Sequence, residues 1–235
     1  MGMFLSLSGI IGKTKNEVLL SLTNFAKSCN GSLEKENLTL ENDNCGVVKE
    51  ANGNTTIYYP NYFLDWDKSS EFISRELNAP VFSFHIHDGD LWMYTLYYDG
   101  QIVDQFNPIP DYWSEDISKE EIESWKGNAL TITKYIPYVK PKDIENYLVR
   151  WDLKNEEELK AYPEDEFVNE DWQLLDFMKK LRFDYPLDEN GNAKGETFKM
   201  WTKENALVPD PKTLKFDNKE NISIKISNKP WWKFW

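Results

Sequence analysis

Two Asp-Gly pairs, Asp88-Gly89 and Asp99-Gly100, punctuate the run "FSFHIHDGDLWMYTLYYDGQIVDQFNPIPDYW". An Asp-Gly pair between β-prone segments is the strongest short-range sign of a two-residue type I′ hairpin, because both turn residues adopt positive φ there at little steric cost. The block therefore predicts three antiparallel strands joined as a meander. With two residues in each turn, His87 faces Asp90, His85 faces Trp92 and Ser83 faces Tyr94, while Tyr94 faces Gln105 and Trp92 faces Asn107 across the second turn. Side chains alternate along a strand. One face then carries Phe82, Phe84, Ile86, Leu91, Met93, Tyr97, Ile102 and Phe106 as a core side. The other carries Ser83, His85, His87, Asp90, Trp92, Tyr94, Gln105 and Asn107, a polar and aromatic surface and the candidate binding face.

The flanking sequence supplies what such a sheet packs against. "MFLSLSGII" reads as a strand, and "KNEVLLSLTNFAKSCNG" places Val18, Leu19, Leu22, Phe25 and Ala26 at helical spacing before a glycine stop. Short strands are expected in "GSLEKENLTL", "CGVVKEA" and "TTIYYP", with "NGN" turning the last two into a hairpin. "DKSSEFISRELNAP" predicts a helix with Phe72, Ile73 and Leu77 inward, ended by Pro80.

Beyond residue 113 the pattern becomes helical in "SKEEIESWKGNALTITKYIP", "KPKDIENYLVRWDL", "NEEELKAY" and "NEDWQLLDFMKKLRF", the last burying Trp172, Leu175, Phe177, Met178 and Leu181. Residues 186–230 are rich in turn formers, with one strand expected in "ISIKIS". The fold class expected is α+β: an antiparallel meander sheet with helices on one face and a mainly helical C-terminal portion. The whole chain, 1–235, is expected to form one domain, with residues 1–115 sheet-rich and 116–235 helix-rich as its possible subdivision. The terminal "KPWWKFW" is expected to tuck its aromatics into a groove of the same protein.

Charge narrows the partner. Forty acidic against 27 basic side chains leave a net charge of −13, which repels phosphate backbones and anionic lipid and favours a basic protein partner. Nucleic acid is not expected. No apolar stretch approaches the roughly 20 residues of a membrane span, so no membrane association is expected. Cys29 and Cys45 follow no paired or metal-binding spacing and read as free thiols. The N-terminus lacks the basic leader and apolar core of a secretory signal, so a cytoplasmic location is expected, and the sequons at Asn30, Asn37, Asn54 and Asn221 carry no weight there.

Signatures of catalysis fail: there is no phosphate loop, no G-x-S-x-G elbow, no H-E-x-x-H and no kinase set. The acidic runs lack the ligand alternation and central glycine of an EF-hand loop and read as solvated helix faces. His85-x-His87 places two imidazoles on one side of a strand, and with Asp90 beside them they form the one constellation suited to a metal-assisted hydrolase. These are the chain's only two histidines, and a closed zinc site takes three or four ligands, so neither metal nor other cofactor is expected. The competing readings of the same face are a bland, hydrogen-bonded strand pair, as in a structural or scaffold protein, and a macromolecular contact surface, for which Trp and Tyr framed by polar groups are the enriched residue types.

The block "LNAPVFSFHIHDGDLWMYTLYYDGQIVDQFNPIPDYW", followed by "YLVRWDL" and "DWQLLDFMKKL", resembles an uncharacterised bacterial protein family with the same strand-turn-strand-turn-strand core, over about residues 60–185. An acidic chain carrying "LWMYxLYYDGxxVDxF" in a meander is also similar to immunity proteins of bacterial polymorphic-toxin systems. The resemblance implies a non-catalytic, immunity-like inhibitor of a basic protein; it transfers no functional residue.

Overall fold

The computed structural model describes residues 4–35, 45–61, 63–89, 91–114, 116–155, 159–166 and 172–203. Its elements in chain order are β1 (Leu5–Ile10), α1 (Lys15–Ser28), β2 (Ser32–Lys35), β3 (Gly46–Ala51), β4 (Asn54–Tyr58), α2 (Trp66–Leu77), β5 (Val81–His87), β6 (Leu91–Tyr98), β7 (Gln101–Phe106), α3 (Lys119–Ser124), α4 (Ala129–Tyr135), α5 (Trp172–Lys180) and β8 (Glu196–Trp201). The strands form one antiparallel sheet in the order β2-β8-β3-β4-β1-β5-β6-β7, so the protein is α+β. The N-terminal strand lies inside the sheet, between β4 and β5.

Local chemistry explains the first elements. Thr14 caps α1 by accepting from the Glu17 backbone N–H while the Glu17 carboxylate accepts from the Thr14 N–H. All five apolar residues expected inward on α1 are buried. The β3–β4 hairpin turns through Asn52 and Gly53, with φ of 55° and 79°. On α2 the buried face is Trp66, Ser69, Ser70, Ile73 and Ser74, and Phe72 and Leu77 are only partly buried.

Both faces of the sheet are covered. On one side α1 and α2 pack over Ile10, Val48, Ile57 and Val81, with Phe198 and Met200 of β8 in the same cluster. On the other side the chain beyond residue 128 covers Leu7, Phe82, Phe84, Trp92, Tyr94 and Phe106 with Ile132, Ile136, Ile144, Leu174, Phe177 and Leu181. The ring of Phe183 rests on the backbone at Gly9, where a Cβ would stand 2.6 Å from it. Only a glycine leaves room for that approach.

Among the described residues of this second layer some of the expected helix is replaced by short turns. Gly127, at φ 67°, separates α3 from α4, and the expected helix over "KPKDIENYLVRWDL" is two single 3₁₀ turns, Pro141–Asp143 and Glu145–Tyr147. Leu174, Phe177, Met178 and Leu181 are buried as an amphipathic α5 requires, while Leu175 is half-buried. The Trp172 side chain, the strand expected in "ISIKIS" and the terminal "KPWWKFW" lie outside the described residues. β8 was not expected at all: "ETFKMW" pairs between β2 and β3, burying Phe198 and Met200.

The largest correction concerns register. His87 pairs with Leu91, so three residues rather than two separate the β5–β6 pair, and Ile86, Phe84 and Phe82 stand opposite Trp92, Tyr94 and Leu96. Directly opposed residues share a face, and a slip of one residue turns every side chain over. Trp92 and Tyr94, expected on the open face with His85, are therefore core residues, 1% and 0% exposed, on the opposite side. Met93, expected in the core, stands opposite His85 instead. The second turn has its two residues, Asp99 and Gly100, but an irregularity between Leu96 and Tyr97 shifts the rest, so Tyr94 pairs with Phe106 rather than Gln105.

The buried indole of Trp92 is also tied by a polar chain. Its Nε1 donates to Gln173 Oε1 at 2.8 Å, and Gln173 Nε2 donates to Leu159 O at 3.1 Å and to Asp165 Oδ2 at 3.0 Å. This pins α5 to β6, because a buried polar group left unpaired costs about 1–3 kcal/mol. Trp92→Ala should therefore destabilise the protein by about 3–5 kcal/mol, as much as Phe84→Ala. Denaturant melts that leave Trp92→Ala near wild type would contradict this burial.

Candidate functional site

On the α2 side of the sheet, alternation brings together small polar residues. Ser6 and Ser8 of β1 pair with His85 and Ser83 of β5, which pair in turn with Met93 and Thr95 of β6. α2 meets them with Ser69, Ser70 and Ser74, all buried. Small side chains let the helix lie close, and their hydroxyls satisfy one another. Ser8 Oγ is 2.7 Å from both Ser70 Oγ and Tyr59 OH, Tyr59 OH donates to Ser69 Oγ at 2.9 Å, and Ser70 Oγ donates to the Trp66 carbonyl at 2.9 Å. Burial raises the Tyr59 phenol to about 12.

This layer ends at the first turn of α2. Trp66 lies flat on His85, with ring centroids 4.6 Å apart and planes inclined by 11°. His85 Nδ1 is 3.0 Å from Ser6 Oγ. Burial, reinforced by the nearby His87, lowers the His85 pKa to about 3, so the imidazole is neutral at physiological pH. Asp67, the next residue of α2, accepts a hydrogen bond from the Ser83 hydroxyl. Burial raises its carboxyl to about 6, against the opposing effect of that hydrogen bond.

A long segment, irregular over its described residues 107–114 and 116–118, crosses in front of these groups before α3. The Asn107 N–H donates to the Trp125 carbonyl at 2.8 Å, the Gly127 N–H donates to the Gln105 carbonyl at 2.9 Å, and Gln105 Nε2 donates to Ser124 Oγ at 2.9 Å, which ties α3 to β7. Asn107 Oδ1 accepts from the Ile109 N–H at 2.9 Å and fixes the start of the segment. The Ser118 hydroxyl caps α3 by accepting from the Glu121 N–H.

Between this segment and the β5–β6 face lies a cavity of about 240 Å³. Its walls include three indoles, Trp66, Trp113 and Trp125, and three carboxylates, Asp67, Asp116 and Glu121. Its described lining contains no lysine or arginine. Beside it His87 is ringed by Trp113, Phe4 and Tyr112 at centroid distances of 5.1, 5.0 and 5.7 Å. Phe4 is 48% and Tyr112 36% exposed, so an aromatic surface lies alongside the acidic cavity.

Of the residues expected to form the binding face, Ser83, His85, Tyr94 and Asn107 border this cavity, although the Tyr94 ring packs in the opposite core and its hydroxyl donates to Asp104 Oδ2 at 2.6 Å. His87 lies next to it, Gln105 holds α3, Trp92 is on the far side of the sheet, and Asp90 lies outside the described residues. Sequence reasoning missed Trp66, Asp67, Trp113, Asp116, Glu121 and Trp125. The available signal was the aromatic and acidic loop "PIPDYWSED" itself, since long irregular connections in compact domains are commonly functional.

Among the described residues no three His, Cys, Asp or Glu side chains gather in a way that could hold a metal ion, no helix is long and apolar enough to cross a membrane, and Cys29 and Cys45 are not joined in a disulfide. The Ser6 hydroxyl faces the ring nitrogen of a histidine that burial makes a weak proton acceptor at neutral pH. Comparison with protein-family models, with curated proteins and with solved structures gives no match.

The two shifted groups act on stability in opposite senses. Asp67 binds its proton more tightly folded than unfolded, so its ionisation weakens the fold progressively as pH rises from about 4 to about 6. His85 binds its proton less tightly folded, so its protonation weakens the fold as pH falls from about 6.5 toward 3. Asp67→Asn, which keeps an acceptor for Ser83, should melt above wild type at pH 7.5, with the gap closing between pH 6 and 4. His85→Gln should gain on wild type below pH 6.5. Melting temperatures of the three proteins across pH 4–8 check both signs.

Proposed function

We propose that this chain is a non-catalytic binding protein that docks a basic protein partner, in the manner of an immunity-like inhibitor, on the surface where the acidic cavity meets the Phe4–Tyr112–Trp113 cluster. The observation that carries the reading is this juxtaposition: exposed aromatic anchors beside a cavity walled by carboxylates and free of described cationic side chains. Aromatic anchors supply most of the energy in protein interfaces, and complementary charge speeds encounter. The net charge of −13 steers in the same direction and opposes binding to nucleic acid. Cys29 and Cys45, which form no disulfide with each other, suit a reducing, cytoplasmic setting.

The test is capture on immobilised protein, identification of what is retained, and titration of the purified partner against variants. The expected partner is a basic polypeptide bound stoichiometrically, released as salt is raised beyond physiological strength. It should bind at least about tenfold more weakly to Tyr112→Ala, and more weakly still to the charge reversal Asp116→Lys/Glu121→Lys. An acidic or nucleic-acid partner, or a basic one indifferent to salt and to these variants, would overturn the proposal.

A further inference from the structure

We infer that the cavity walled by Trp66, Trp113 and Trp125 is a guanidinium site, which receives one arginine side chain of the partner. The inference rests on the docking reading above and gives that surface its specific ligand.

Three features argue for this chemistry. The first is charge: Asp67, Asp116 and Glu121 line the space, and no described lysine or arginine does, so an anion or a second carboxylate is repelled and a cation attracted. The second is the wall: indole faces attract cations, tryptophan more than any other side chain, and a flat guanidinium also stacks on them. The third is enclosure. At about 240 Å³ the cavity has many times the space of one water, yet it is bounded by the sheet beneath, α2 on one side and the 107–118 segment and α3 on the other. Asp116 and Glu121 stay exposed at its rim while Asp67 lies deeper, so a cation entering it gives up part of its hydration. Guanidinium is the more weakly hydrated of the two biological side-chain cations, and its planar donors match a carboxylate in pairs, so arginine enters at lower cost than lysine.

The carboxylate at the base is prepared for this role by the fold. The Ser83 hydroxyl engages Asp67 Oδ1 and orients the carboxylate from the sheet. His85 beneath Trp66 is a neutral ring that backs the indole without adding positive charge to the floor. Trp66 is held in turn by stacking on that ring, so one wall of the site is built before any ligand arrives.

The experiment uses the full chain and four small probes: N-acetylarginine amide, N-acetyllysine amide, the neutral isostere N-acetylcitrulline amide, and methyl glucoside as a neutral ligand that also stacks on indoles. Binding is read by calorimetry and by tryptophan fluorescence. The arginine probe should bind saturably, the lysine probe more weakly, and the citrulline probe at least about tenfold more weakly than arginine. Asp67→Asn and Glu121→Gln should each weaken the arginine probe severalfold while retaining a wild-type circular dichroism spectrum, and Glu34→Gln, exposed on β2 and outside the cavity, should leave it unchanged. Citrulline binding as well as arginine, preferential binding of the glucoside, or no arginine binding well above millimolar concentration would each overturn the inference. If the purified partner binds normally to Asp67→Asn and the arginine probe does not bind at all, the cavity inference fails and the docking surface stands. If the arginine probe binds as expected but no basic partner competes with it, the docking reading fails and the guanidinium site stands.

Discussion

The pairing of His87 with Leu91 decides more of this protein than any other contact. It places Trp92 and Tyr94 on the same side as Phe82 and Phe84, where Phe177 of α5 stacks against Tyr94 at 5.7 Å and Trp92 meets Phe177 at 5.2 Å. The alternative register would turn the two large rings toward the small, serine-lined side that α2 covers and put Met93 and Thr95 into the aromatic core in their place. Burial of apolar area decides the choice, because each large aromatic ring that leaves water contributes a few kcal/mol and no turn preference is worth as much. The 128–183 layer follows from that choice, since it has a broad aromatic surface to cover.

With the aromatics on one side, the other side of β1 and β5 is left with serines and histidines. A polar stripe inside a protein holds only if its hydrogen bonds close, and here α2 closes them with serines at helical spacing and Tyr59 reaches in from the end of β4. The two faces of the sheet thus have different physics. One is a close-packed aromatic core with polar groups at its margin, such as Asp104 and the Gln173–Asp165 pair. The other keeps a neutral His85 and a carboxyl at Asp67 whose ionisation state depends on pH in the mildly acidic range.

The cavity arises at the margin of this polar face, where α2 begins with Trp66 and Asp67. The 107–118 segment and α3 roof the gap, fastened to β7 by the Asn107–Trp125 and Gln105–Gly127 backbone bonds and by the Gln105–Ser124 contact. None of the α3 side chains is buried. The roof, which carries Trp125 and Glu121, is also tied down by the Trp151 N–H donating to the Pro108 carbonyl at 2.9 Å and by the Arg150–Asp111 ion pair at 3.2 Å.

Several parts of this architecture are local and were legible in the residues. The capping box and apolar stripe of α1, the Asn52-Gly53 and Asp99-Gly100 turns, the strand character of β1 and of β3 to β7, and the placement of Ser83, His85 and His87 on one side of β5 follow from periods and turn chemistry that a single segment carries. The face of β6 was not legible, because "LWMYTLYY" is apolar or aromatic at both parities and alternation cannot choose between them. Nor was β8, whose six residues become a strand by completing the gap between β2 and β3. The cavity was the least visible, since Trp66, Trp113 and Trp125 come from three separate segments and become neighbours only when the sheet register, the start of α2 and the fastening of the roof are all settled. The sequence by itself determined α1, α2, α5, β1 and the strands of its hairpins, the acidity and the polar stripe of β5. Tertiary packing decided which aromatics are core and which line a site, because that choice depends on the total area buried by the whole sheet and not on any one segment.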